Sequence, residues 1–115
     1  MSTTNVAPQS YSYLPGFYSI SRTSLSSSDN LNDIKKPGIY AWYSSIPENA
    51  PNQRAYWWML VISFYSGGGE EYQSSYANAV QIAHCQSNQE NSTVRIRYQL
   101  ENGTWSNWAT KSIVS

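Results

Sequence analysis

One cysteine and one histidine are all this chain offers of the residues that most often hold metals or attack substrates. With Cys85 alone there is no internal disulfide, and no set of thiolates exists to hold zinc. Set in VQIAHCQ, Cys85 reads as a buried free thiol. His84 is its neighbour, and in a strand the two side chains would point to opposite faces and could not pair as base and nucleophile. His84 therefore reads as an ordinary strand residue. Scattered carboxylates add no zinc or EF-hand spacing, so no cofactor and no metal are expected. Charge is equally thin, with seven basic and seven acidic residues among 115. That balance steers the chain toward neither nucleic acid nor an anionic membrane. The longest apolar run, WWMLVISFY at 57–65, is short of the about 20 residues that span a bilayer. MSTTNVAPQS lacks the basic start and apolar segment of a secretory signal. The expectation is a soluble protein made in a cytoplasm, able to leave by cell lysis.

What the chain has instead is aromatic and polar surface: ten tyrosines and five tryptophans amid Ser, Asn and Gln. Tyr and Trp give large contact area with a polar handle and little rotamer entropy to lose, the composition of a recognition surface. The same residues also favour strands for packing alone. At this length one domain is expected, burying roughly two-thirds of its unfolded surface.

Residues 1–29 are rich in Ser, Thr, Asn and Pro, with one aromatic island, YSYLPGFYSI, and read as an arm or shaft connection. The domain proper then spans 30–115. LNDIKK is a short turn with Leu31 and Ile34 on one side, closed by Pro37-Gly38, and GIYAWYSS is a first strand. After the turn-rich IPENAPNQ, the stretch RAYWWMLVISFY shows no polar alternation, which predicts a central strand covered on both faces. SGGGEE is a loop. YQSSYANAVQIAHCQ leads into a strand in which Ala79, Gln81 and Ala83 oppose Val80, Ile82 and His84. TVRIRYQL alternates most clearly, setting Val94, Ile96, Tyr98 and Leu100 against Arg95, Arg97 and Gln99. Asn102-Gly103 signals a tight hairpin of type I′, which needs positive φ at both residues. No stretch keeps a helical period over three turns. The predicted fold is mainly β, with a small α contribution at most: a compact knob of antiparallel strands with a C-terminal hairpin.

No catalytic constellation emerges. SGGGEE lacks the lysine and helix start of a phosphate loop. Glu70 and Glu71, adjacent on a loop, fit poorly the roughly 5–9.5 Å spacing of a glycosidase pair. The Asn-x-Ser/Thr matches at Asn91 and Asn102 read as turns. A binding module remains, in which rings stack on sugars while Asn, Gln, Ser and Arg bond to hydroxyls. Trp58, in register with Leu60 and Ile62, reads as core, with surface recognition the alternative. Trp57 lies on the other face with Met59 and Val61, open to a core or a surface role. Tyr65, Tyr72 and Tyr76 flank the glycine loop. Arg97 shares with Arg95 a polar face that reads as solvated, inter-subunit or ligand-facing. The candidate ligand-binding set is thus Trp57, Tyr65, Tyr72, Tyr76 and Arg97.

Six blocks in order carry a family resemblance: Leu31-Asn32 with Pro37-Gly38-Ile39-Tyr40; Asn49-Ala50-Pro51-Asn52; Met59-Leu60-Val61-Ile62; Gln81-Ile82-Ala83; Ile96-Arg97; and Asn102-Gly103-Thr104-Trp105-Ser106-Asn107-Trp108. From about residue 29 to 113 the chain resembles the pyocin-knob type domain at the tips of phage and R-type pyocin tail fibres. It departs from that pattern at YWW before MLVI and in the insert SFYSGGGEEYQSSYANA. The resemblance implies a small knob in a homotrimeric fibre tip, acting outside the cell after host lysis. It implies binding of a bacterial surface glycan such as lipopolysaccharide, no enzymatic activity and no membrane insertion. A structural trimerisation cap and an accessory domain of a polysaccharide depolymerase are the alternatives. Because Trp105 and Trp108 fall on the family's closing hairpin, they are expected to be structural, which leaves recognition to the loops around Trp57, Tyr65, Tyr72 and Tyr76.

Overall fold

Residues 22–65 and 72–113 are described in a computed structural model of the chain. The aromatic island at 11–20, most of the predicted arm, and the SGGGEE loop with Glu70 and Glu71 lie outside the described residues. The protein is mainly β. Its strands are β1 (Arg22–Ser24), β2 (Gly38–Trp42), β3 (Trp57–Tyr65), β4 (Tyr76–Cys85), β5 (Thr93–Tyr98) and β6 (Ala109–Ser112). They form one six-stranded sheet whose spatial order is the sequence order. Four pairings are antiparallel, as expected. The first is not: β1 runs parallel to β2, pairing Arg22 with Ile39 and Ser24 with Ala41. The long connection from Ser24 to Gly38 permits this, since a parallel pair cannot be joined by a tight turn. Part of the predicted arm, from Arg22 onward, therefore belongs to the sheet, and Leu25 is buried in the core.

Two 3₁₀ turns punctuate the meander, at Leu31–Asp33 and Gln73–Ser75. The first is capped by Asn30, whose side-chain oxygen accepts from the Asn32 N–H at 2.9 Å, as capping asparagines do. It directs Leu31 and Ile34 onto one face of the sheet, where both are buried. A bulge interrupts β3–β4 between Ile62 and Phe64. There Asn78 takes a left-handed φ of 54°, which Asn tolerates better than most residues.

The register divides the sheet into two unlike faces. Tyr40, Trp42, Trp57, Met59, Val61, Ala83 and Cys85 share the inner face with Gln81 and Arg97. Leu25, Leu31, Ile34 and Pro47 are buried with them, and Ile46, Ala50, Trp105 and Trp108 pack partly buried on the same cluster. Trp42 and Trp57 pair across β2–β3 with rings stacked at 5.9 Å. The outer face carries Ile39, Trp58, Leu60, Ile62, Val80, Ile82, Val94, Ile96 and Tyr98.

This corrects two expectations. Trp58 is not core but 44% exposed, and Ile62 further along the same face is 53% exposed. The Arg95–Arg97 face of β5, read as solvated, inter-subunit or ligand-facing, turns inward toward the core cluster, and its aliphatic face turns out. The usual polar-out pattern of a half-buried strand is thus inverted. The turn after β5 also departs from expectation. Gly103 has φ 91°, but Asn102 is not in the positive region. Gly103 N–H donates to Leu100 O at 2.9 Å and Leu100 N–H to Thr104 O at 2.6 Å. That is a three-residue loop with a glycine bulge rather than a type I′ turn. Asn102 contributes by accepting from the Thr104 N–H and hydroxyl.

Candidate functional site

At the end of the sheet where β2 finishes and β3 begins, the outer face carries an aromatic groove of about 220 Å³. Tyr43 follows β2 and Tyr56 precedes β3, so the antiparallel register sets them side by side with Trp58 next to them. The rings of Tyr43 and Tyr56 lie 6.0 Å apart, tilted by 59°. Arg22 of the edge strand lies over the Tyr43 ring at 5.9 Å, and Ala41, Trp57 and Gln86 complete the lining. Trp58 leans on His84 across β3–β4 at 5.6 Å. His84 is a strand residue on the outer face, within hydrogen-bond distance of Asn91 O at 3.1 Å.

Tyr56 is held in an uncommon state. Its φ of 66° is left-handed, a region that costs a bulky residue on the order of 1–3 kcal/mol. Two backbone bonds fix it there: Tyr56 N–H donates to Tyr43 O at 3.1 Å, and Gln86 N–H donates to Tyr56 O at 2.9 Å. In this conformation Tyr56 is 58% exposed and lines the groove. Exposed rings flanked by Arg and Gln can stack on the apolar face of a sugar and bond to its hydroxyls.

The residues singled out from sequence do not gather in one place. Trp57 is 2% exposed, stacked on Trp42, with its indole N–H donating to Arg54 O at 2.9 Å. It lines the groove with almost no exposed surface of its own. Tyr65 and Tyr72 are exposed, while Tyr76 is buried against Tyr65 at 5.4 Å. These three sit at the far end of β3, about 27 Å from Trp57 at strand spacing. Of the groove residues, sequence reasoning singles out Trp57, reads Trp58 as core and passes over Tyr43 and Tyr56. Tyr43 and Tyr56 flank predicted turns, and only the register between β2 and β3 brings them together.

Arg97 lies elsewhere again, at a polar cleft of about 280 Å³ on the inner side. It is 4% exposed. Its Nε–H donates to Gln81 Oε1 at 2.7 Å, and its guanidinium carbon lies 4.3 Å from the Trp105 ring and 4.8 Å from the Trp108 ring. Burial pulls its pKa down to about 10, which leaves it charged at neutral pH. Both indoles are themselves anchored. Trp105 N–H donates to Asn32 O at 3.0 Å and Trp108 N–H to Asn49 O at 2.9 Å. The 3₁₀ turn at Leu31–Asp33 and the loop at Asn49 are thereby tied to the residues after β5 across the inner face.

Among the described residues no three of His, Cys, Asp and Glu come together as metal ligands. Among them, too, no helix is long and apolar enough to cross a membrane. Comparison with protein-family models, with curated proteins and with solved structures finds no match for this chain.

Proposed function

We propose that this chain is a non-catalytic receptor-binding tip domain of a phage or tailocin tail fibre, which meets bacterial surface polysaccharide such as lipopolysaccharide outside the cell. The observation that carries this reading is the groove of Tyr43, Tyr56 and Trp58, with Arg22 and Gln86 at its sides. Three large rings exposed together, one of them at the expense of backbone strain, suit a stacking ligand better than a fold requirement. The ordered resemblance of residues 29–113 to pyocin-knob domains points the same way.

The domain works as a homotrimer in this reading. Support comes from the outer sheet face, where Leu60, Ile62, Val80, Ile82 and Ile96 form an aliphatic field that a lone domain would leave against water. A second copy is the occupant that fits a face with so little charge.

Binding to a glycan array and to bacterial envelopes tests the receptor function. Each ring–sugar stack is worth about 1 kcal/mol, so Tyr43→Ala with Tyr56→Ala together should weaken binding by roughly tenfold or more. If no glycan or envelope is bound, the domain is a cap rather than a reader. If the double variant binds like the parent, the groove is not the site. Polysaccharide incubated with the protein should release no reducing ends. Release that disappears in Glu70→Gln or Glu71→Gln would make it a depolymerase. Sedimentation at micromolar concentration should show a trimer that Ile62→Glu dissociates, and a monomeric parent would end the trimer proposal.

A further inference from the structure

Arg95 and Arg97 stand two residues apart on the same inward face of β5, and the fold treats them differently. Arg95 has a counter-ion, with its Nη2 donating to Glu90 Oε1 at 2.9 Å and Oε2 at 3.0 Å. Arg97 is the more deeply buried of the two and has none: the ion pairs among the described residues join Glu90 to Arg54 and to Arg95. Gln81 takes its Nε–H, and the indoles of Trp105 and Trp108 lie against the guanidinium. Its Nη2 is buried without a hydrogen-bond partner. A cation taken out of water with donors unused is a strongly unfavourable arrangement unless something supplies the missing charge.

The place where it could be supplied is already open. Arg97 lines the polar cleft together with Asn32, Asn49, Ser106 and Asn107, and no carboxylate of the protein is among the lining residues. The volume, about 280 Å³, is near the lower end of ligand pockets and holds one saccharide unit rather than a chain. The side-chain amides of Asn32 and Asn107 can serve sugar hydroxyls in both donor and acceptor roles, while Asn49, whose Nδ2 already donates to Asn30 Oδ1 at 2.8 Å, keeps its Oδ1 as an acceptor. A carboxylate opposite a guanidinium edge makes charge-assisted bonds roughly twice as strong as neutral ones, and the pairing can be bidentate.

We propose that the Arg97 cleft is a binding site for a carboxylate-bearing sugar unit of the uronic-acid type, with the carboxylate on Arg97 and the ring hydroxyls on Asn32, Asn49 and Asn107. The word sugar rests on the glycan-binding reading above, whereas the anion site rests on Arg97 alone. The indoles of Trp105 and Trp108 then have a second duty beside anchoring loops, since they hold the guanidinium in place for a ligand.

The full chain, labelled with ¹⁵N, tests this by titration with sodium glucuronate, and in parallel with glucose and with inorganic phosphate. Trp105 and Trp108 indole N–H and Arg97 Nε–H signals report on the cleft, and the Trp58 indole reports on the groove. Glucuronate should shift the cleft signals saturably, and glucose at the same concentration should not. Asn107→Asp puts a carboxylate on the exposed rim, where it competes for Arg97 without disturbing the core. It should weaken glucuronate binding at least tenfold with the fold intact. Absence of saturable cleft shifts with glucuronate and phosphate overturns the site. Shifts with phosphate but not glucuronate overturn the carboxylate assignment, and unchanged affinity in Asn107→Asp overturns the role of Arg97. Shifts confined to Trp58 support the groove and overturn the cleft, while glucuronate binding in a protein that recognises no envelope supports the cleft and overturns the receptor reading.

Discussion

Gln81→Leu removes one amide from the centre of the sheet and keeps nearly the same volume. Gln81 is fully buried, and its three hydrogen bonds join distant parts of the chain. Nε2 donates to Leu31 O at 2.7 Å and to Ile34 O at 2.9 Å, while Oε1 accepts from Arg97 Nε at 2.7 Å. Leucine would leave Ile34 O and Arg97 Nε without these partners. Leu31 O would keep a bond from Ile34 N–H at 3.2 Å. Each orphaned group costs about 1–3 kcal/mol, with the charged one at the upper end. Added apolar burial returns about 1 kcal/mol. The expected net loss is about 4 kcal/mol, a large share of the 5–15 kcal/mol typical of a whole domain. In urea, with a slope of about 1–3 kcal/mol per molar, the midpoint should fall by roughly 2 M. Gln81→Glu separates the contributions: it keeps the acceptor for Arg97 and gives it a counter-ion, but loses both donor bonds to the loop carbonyls. It should lie between the parent and Gln81→Leu. A Leu variant whose midpoint moves by less than about 0.5 M would refute the premise that this amide is what makes a buried arginine tolerable.

Two further predictions concern smaller features. In Gly103→Ala the new methyl meets nothing within 4 Å, so the whole effect is the left-handed backbone at φ 91°. The loss should be about 1–2 kcal/mol by thermal melt, and a neutral result would mean the bulge relaxes freely. The Cys85 thiol is buried and donates to Ala55 O at 3.3 Å, and burial pushes its pKa above the ordinary 9.0. Because the folded value is raised, the stability that the neutral thiol contributes is present below pH 9.0 and is lost as pH rises through the folded value. Ellman's reagent at pH 8 should therefore react slowly with native protein and quickly in urea. Reaction at the free-thiol rate in the native state would contradict the burial.

Strand content was legible wherever the period-2 pattern was strict. TVRIRY and AVQIAHC gave the alternation of β5 and β4, including the divergence of His84 and Cys85 to opposite faces. Which face points inward was not legible. Arg95 and Arg97 look like solvent residues unless one knows that Glu90, Gln81 and two indoles wait beneath them, and none of these lies on β5. WWMLVISFY was read as covered on both sides because its residues are apolar on both, yet only the Trp57, Met59, Val61 side has a lid. The groove was hidden for a different reason. Tyr43 and Tyr56 are 13 residues apart and look like turn flanks, and the left-handed φ of Tyr56 has no signature in its side chain. Trp105 and Trp108 were expected to be structural, and their N–H bonds to Asn32 O and Asn49 O tie loops together.

The serial order of the sheet has a kinetic consequence. Each strand from β2 onward pairs with its successor, so the sheet can assemble by short-range closures, which are the fast ones. The ties made by Trp105 and Trp108 reach back 73 and 59 residues and must wait until both loops have been brought under the sheet. Burial of Arg97 waits with them. The guanidinium is then expected to keep its water until those ties close, which makes its burial a late event, after the strands around it have paired.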